Sequence, residues 1–125
     1  MAFWLFKEEP THYGYTDLER EGETVWDGVE NALALIHLRK VKAGDRVLYY
    51  HTGKEKAIVA EMRVVKANDG EVTVAPVRRL AKPVPLAEIK KIVALKDWDL
   101  VRNSRLSVMP VTAEQWHKVE EMAAK

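Results

Sequence analysis

The stretch from Thr24 to Asn31, TVWDGVEN, places a large aromatic beside a carboxylate and a glycine just ahead of a helical pattern. Such a group can stack on a flat ring through Trp26 and pair with its polar edge through Asp27 and nearby backbone amides. A tryptophan here serves equally well as a core plug, so the residues alone leave both roles open. Upstream, Lys7 and Glu9 stand at the end of an apolar run, and Pro10 presses Glu9 towards extended geometry. Projecting to one side, they offer a cation and a carboxylate to a polar ligand; as a solvated ion pair they bind nothing. His51 and Thr52 open a loop able to donate and accept hydrogen bonds, and His51 also reads as a plain rim histidine. Arg78, Arg79 and Lys82 form a cluster of cations, either a solvated face or, in a nucleic-acid binder, the natural phosphate contact.

Other chemistry is excluded. There are no cysteines, so disulfides, thiolate nucleophiles and thiolate zinc sites fall away. His12, His37, His51 and His117 lack any paired metal-binding spacing, and we expect no metal and no cofactor. A formal charge of +1 gives no global pull on nucleic acid, so such binding would need a local patch. The N-terminus reads as a strand rather than a signal peptide, and no segment approaches the ~20 apolar residues of a membrane span. We therefore expect a cytoplasmic protein with no membrane partner, its 125 residues forming one domain over positions 1–125.

The elements that must hold these residues follow from periodicity. Phe3 to Phe6 is apolar on both faces, as in a strand covered on both sides. Tyr13 to Glu21 suggests a helical turn capped by Thr16. Val29, Leu33 and Ile36, widened by Ala32 and Leu35, predict an amphipathic helix over Glu30 to Lys42 with Asp27 or Gly28 at its N-terminus, where free amides receive an anion or a base acceptor. Gly44 stops that helix. Strands follow at Arg46–His51, Ala57–Val65 and Glu71–Val77, the last two joined by a turn at Asn68-Asp69-Gly70. Leu86 to Val93 predicts a short helix, Leu106 to Val111 a strand, and Thr112 with Gln115 a capping box opening a helix to about Met122, anchored by Trp116 and Val119. The sum is α+β: a small curled or closed sheet of five or six strands with helices outside it.

Five motifs, in order, resemble one family. They are Trp4-Leu-Phe-Lys7-Glu-Glu9-Pro10, Thr24-Val-Trp26-Asp-Gly-Val29-Glu-Asn31, Leu38-Arg39 with Lys42-Ala-Gly44-Asp45, Tyr49-Tyr-His51-Thr52, and Ser104-Arg-Leu-Ser-Val-Met-Pro-Val-Thr112. Together they are similar to the EVE domain, a PUA-like domain related to YTH domains. The resemblance implies a PUA-like β-barrel of five or six mostly antiparallel strands flanked by helices, with a pocket for a modified base such as a modified cytosine. The expected partner is DNA or RNA carrying that base, or a free nucleotide. Carried over by motif, the ligand-binding set is Trp4, Lys7, Glu9 and Pro10; Trp26, Asp27, Gly28, Val29 and Asn31; Tyr50, His51 and Thr52; and Ser104, Arg105, Leu106, Ser107 and Met109. Phosphate contacts are expected from Arg78, Arg79 and Lys82. The chain departs from the family where Glu30 replaces an arginine and Leu35 follows Ala34, which implies fewer phosphate contacts near Trp26.

Two other classes compete. PUA-like relatives include hydrolases of modified nucleosides, and Lys7, Glu9, Asp27 and Thr24 would have to supply nucleophile and acid–base groups. No nucleophile–base spacing announces itself, so a binding module is favoured over an enzyme. A protein-interaction module would need an exposed apolar patch. On the binding reading, Trp26→Ala is expected to abolish ligand binding while leaving the protein folded.

Overall fold

The computed structural model describes all 125 residues. The apolar N-terminal run forms β1 (Phe3–Glu8), and the chain then makes two short helices, α1 (Pro10–Tyr13) and α2 (Tyr15–Glu21). Strand β2 (Thr24–Trp26) carries the aromatic motif and leads to α3 (Ala32–Lys40). A meander follows: β3 (Arg46–His51), β4 (Ala57–Asn68) and β5 (Glu71–Pro85). Then come α4 (Leu86–Ile89), a 3-10 turn at Val93–Leu95, α5 (Asp99–Arg102), β6 (Val108–Val111) and α6 (Ala113–Ala124). No helix is long and apolar enough to cross a membrane.

The six strands form one sheet in the order β2-β5-β4-β3-β1-β6. Only β1 with β3 is parallel; the other four pairings are antiparallel. Trp26 on the edge strand β2 lies four strands from Phe6 on β1, about 19 Å in a flat sheet at ~4.8 Å per strand. Their rings are nevertheless 5.3 Å apart, and Trp26 is also edge-on to Tyr49, the strand neighbour of Phe6, so the sheet curls into a half-barrel with these aromatics on its concave face. Register shifts along β4 and β3 supply the bend. The curl does not close by hydrogen bonds: β2 and β6 remain unpaired edges, and α3 packs against β6 and β5 in the gap.

Alternation sorts the side chains. Trp4, Phe6 and Glu8 share the concave face with Tyr49 and His51, while Phe3, Leu5 and Lys7 share the convex face with Arg46, Leu48 and Tyr50. On the convex side Trp116 of α6 stacks on Phe3 at 4.9 Å, and the Arg46 guanidinium lies 4.7 Å from the Trp116 ring. Glu61, almost fully buried, grips Arg46 at 2.7 and 3.1 Å and Arg78 at 3.2 Å. A buried acid needs such partners, and here two guanidinium groups provide them.

Several local expectations change. Residues Val29, Leu33 and Ile36 are not the buried stripe of α3; Ala34 and Leu38 face the core, and Leu33 and Ile36 are 43% and 47% exposed. Helix α2 is capped by Gly14 and Asp17 rather than Thr16: the Asp17 carboxylate accepts from the Gly14 amide at 2.8 Å. Strand β5 runs past Val77 to Pro85, through three prolines. Its outer side pairs with β2 only along Val72–Val74, so beyond that point a missing N–H on the free edge costs no ladder bond. The hairpin turn fits its sequence: Asp69 and Gly70 both take positive φ, +48° and +93°, as a two-residue type I′ turn requires. The Thr112–Gln115 capping box forms at both of its hydrogen bonds, 2.9 and 3.0 Å.

Candidate functional site

The C-terminal end of β1 is where the recognised residues converge, and the strand's alternation divides them. On the concave side lies a recess of about 210 Å³ lined by Glu8, His12, Tyr13, Thr24, Val25, Trp26 and Asp27. It is smaller than the ~300–1,000 Å³ of drug-sized pockets. Trp26 forms its inner wall and is 5% exposed, held by Phe6 on one side and edge-on by Tyr49 on the other. A second, shallower hollow on the far side of Trp26 includes Gly28, Val29, Leu35 and Leu38. Gly28, in that second hollow, has φ +77°, a left-handed turn that a side chain would strain.

The recess is acceptor-rich. Glu8 Oε1 accepts from the Glu9 amide at 2.9 Å and lies 3.3 Å from His12 Nδ1, which leaves Oε2 without a protein donor. Asp27 is exposed and makes no hydrogen bond or ion pair within the protein. An ionised carboxylate accepts only, so both acids demand donors from whatever enters. The Tyr13 phenol, held up by burial and by Glu21, donates to Glu21 Oε1 at 3.0 Å, while the Tyr13 carbonyl accepts from Tyr49.

Glu8, His12, Tyr13, Thr24 and Val25 are not in the sequence-predicted ligand-binding set. The signal for Glu8 was available: it is in phase with Trp4 and Phe6, whereas Glu9 falls after the strand. Glu9 instead caps α1, accepting from the Thr11 amide at 2.8 Å, and the Thr11 hydroxyl and amide hold its carboxyl low. Pro10 is the first residue of α1. Asn31, not Asp27 or Gly28, is the cap of α3, its Oδ1 accepting from the Ala34 amide at 3.0 Å. The helix-terminal amides expected beside Trp26 are thus five residues away in sequence and already capped.

His51 also has both ring nitrogens in use. Its Nε2 accepts from the Tyr15 amide at 3.2 Å, which places the ring proton on Nδ1, 2.7 Å from Glu55 Oε1. Trp4 is in the core, its indole N–H donating to Asp45 at 2.9 Å, and Leu106 and Met109 are fully buried. Of the remaining residues of the set, Tyr50 is buried on the convex face opposite Lys7, and Lys7, Thr52, Ser104, Arg105 and Ser107 are partly or largely exposed. Lys7 Nζ donates to the Ser104 carbonyl at 3.3 Å, so Lys7 and Glu9 do not form one site. Nor do Lys7, Glu9, Asp27 and Thr24 come together as a catalytic set.

The phosphate-contact cluster separates as well. Arg78 is tied to Glu61 and to Glu120 at 3.2 Å. Arg79 turns to the other face of β5, pairs with Glu19 at 2.8 Å and lies 5.3 Å from the Tyr15 ring. Lys82 lines a groove of about 420 Å³ beside α4 and α6. The two arginines serve the fold because consecutive strand residues point to opposite faces, where each meets an acid.

The EVE-domain family model matches residues 2–122. The chain belongs to the EVE-domain family. Thymocyte nuclear protein 1 of Danio rerio is 29% identical over 160 aligned positions, covering 93% of this chain and 69% of the relative. Among solved structures, protein Rpa0253 of Rhodopseudomonas palustris superposes with a TM-score of 0.91 at 34% identity, covering 99% of this chain and 94% of that one. The human THYN1 protein, in complex with DNA containing 5-methylcytosine, superposes with a TM-score of 0.90 at 28% identity, covering 100% and 99%. This EVE domain therefore shares the half-barrel of a protein seen on modified DNA.

Proposed function

We propose that this protein binds nucleic acid by taking a single modified base, of the cytosine type, into the recess beside Trp26. The observation that carries this reading is the recess itself: one aromatic wall and carboxylate oxygens with no protein donor, in a space suited to one base. The human relative in complex with 5-methylcytosine DNA supports it. Cytosine and adenine present an amino donor where thymine, uracil and guanine present a carbonyl acceptor, and Glu or Asp is the natural acceptor for the cytosine amino group. A carbonyl set against Glu8 Oε2 would leave two acceptors facing each other without a hydrogen atom between them. Extruding a base from a duplex costs a few kcal/mol, least where the strand is already single. Aromatic contact recovers roughly 1–3 kcal/mol per base.

Fluorescence anisotropy with short single- and double-stranded DNA and RNA, each with and without 5-methylcytosine, tests the proposal. One methylated oligonucleotide is expected to bind more tightly than its unmethylated twin; equal binding of every twin pair would overturn the base-reading role. Glu8→Gln is expected to weaken the methylated complex about tenfold and to narrow its advantage over a thymine control. The reason is geometric. One side-chain oxygen must still accept from the Glu9 amide, so the group left facing the base becomes an amide donor against an amino donor.

A further inference from the structure

With Arg78 and Arg79 paired to acids and Lys82 in the groove beside α4 and α6, none of the three expected phosphate contacts lines the recess. The structure supplies others at the same end of β1. Lys7 follows the convex face, and its ammonium is partly buried against the Tyr50 ring, 5.4 Å from the centroid, with the Ser104 carbonyl as its one hydrogen-bond acceptor. No carboxylate lies within the 4.0 Å of an ion pair. Burial pulls its pKa down, the mark of a charge that has lost water without gaining an acid. Around it the register is fixed: Lys7 stands opposite Tyr50 on β3, and its amide donates to the Ser107 carbonyl at 2.9 Å. Ser107 therefore shares the Lys7 face. Arg105 is exposed and unpaired, and the hydroxyls of Ser104, Ser107 and Thr52 make no hydrogen bond within the protein.

We propose that Lys7, Arg105 and the Ser104–Ser107 turn form a clasp for the phosphodiester next to the base held beside Trp26. The inference rests on the base-pocket reading in one respect: it takes the phosphate to belong to the nucleotide in the recess. A phosphate matches what is present, since its oxygens accept from an ammonium, a guanidinium and hydroxyls alike. Glu8 and Lys7 are neighbours in the chain, ~3.8 Å apart at Cα, with side chains on opposite faces of one strand end. A nucleotide bent over that end sets its base on the concave side and its phosphate on the convex side. Of the acids at this end, Glu8 turns into the recess, Glu9 caps α1 and Glu55 is held by the His51 ring.

The test is an NMR titration of amide shifts with 5-methyl-2′-deoxycytidine, its 3′- and 5′-monophosphates, and inorganic phosphate. One of the two monophosphates is expected to bind about tenfold more tightly than the nucleoside, and Lys7→Gln to bring it to the nucleoside's affinity. Arg105→Gln, at an exposed position that packing does not constrain, is expected to remove part of the same gain and serves if Lys7→Gln does not fold. A monophosphate advantage that survives both substitutions overturns the clasp. Should the nucleoside leave Glu8 and Trp26 unshifted, the base pocket fails, and inorganic phosphate then decides the clasp alone. Shifts at Lys7 and Ser104–Ser107 that vanish in Lys7→Gln uphold it; their absence refutes it.

Discussion

Trp26→Ala is expected to lower the unfolding free energy by about 3–5 kcal/mol, before any ligand is added, because it empties the space between Phe6 and Tyr49. That is a large share of the ~5–15 kcal/mol available to a domain of this size. The ring is also what joins edge strand β2, paired to β5 through only three residues, to the middle of the curl. Its loss therefore loosens the recess wall and the half-barrel together. This revises the expectation drawn from sequence, in which the alanine variant stays folded and only binding is lost. Trp26→Phe keeps a ring in the same slot and is expected to lose far less stability. Urea denaturation of the two variants beside the parent checks this, and an alanine variant within 1 kcal/mol of the parent would show that the ring is no part of the core. Binding comparisons at this position are sound only in urea-free buffer at temperatures where each variant's fold is intact.

What was legible in the sequence, and what was not, follows from how local each signal is. The Thr112–Gln115 box and the Asp69-Gly70 turn were readable because the residues that make the bonds or take the unusual φ are adjacent in the chain. The face of α3 was not: Ala-Leu-Ala-Leu-Ile is apolar nearly all round, so only the packing against β6 and β5 decides that Ala34 and Leu38 turn inward. The roles of Arg78 and Arg79 were hidden for a similar reason. Their acids, Glu61, Glu120 and Glu19, come from β4, α6 and α2, and nothing in a run of cations reveals partners so distant. At the candidate site, the motif residues gather around one strand end, but the motif does not tell which side of it each faces. Glu9 looked like the ligand's acid because proline follows it; strand phase turns Glu8 into the recess, and Glu9 caps α1.

Asp45 carries the second large effect, and one that pH exposes. It is 4% exposed and accepts three hydrogen bonds: from the Ala2 amide at 3.0 Å, the Trp4 indole at 2.9 Å and the Lys42 amide at 2.9 Å. One carboxylate thus fastens the N-terminus, β1 and the turn before β3. Burial alone would raise its pKa, but the three donors, with the N-terminal amine nearby, outweigh burial and hold it below the usual carboxylate range. A carboxyl whose folded value lies below its unfolded value of about 3.9 stabilises the fold fully above that value. The contribution is lost as pH falls through the lower, folded value. Asp45→Asn keeps one acceptor oxygen and turns an amide donor towards the remaining N–H groups, so a loss of about 3 kcal/mol is expected near neutral pH. Thermal or urea unfolding from pH 7 to pH 2 should show the parent and Asp45→Asn far apart above about pH 4 and converging below it. Parallel curves over that range would mean that Asp45 is not the group whose charge secures the N-terminal end of β1. Because β1 presents Glu8 to the recess and Lys7 to the rim, a parent protein held at the acid end of the range should lose ligand binding before it unfolds.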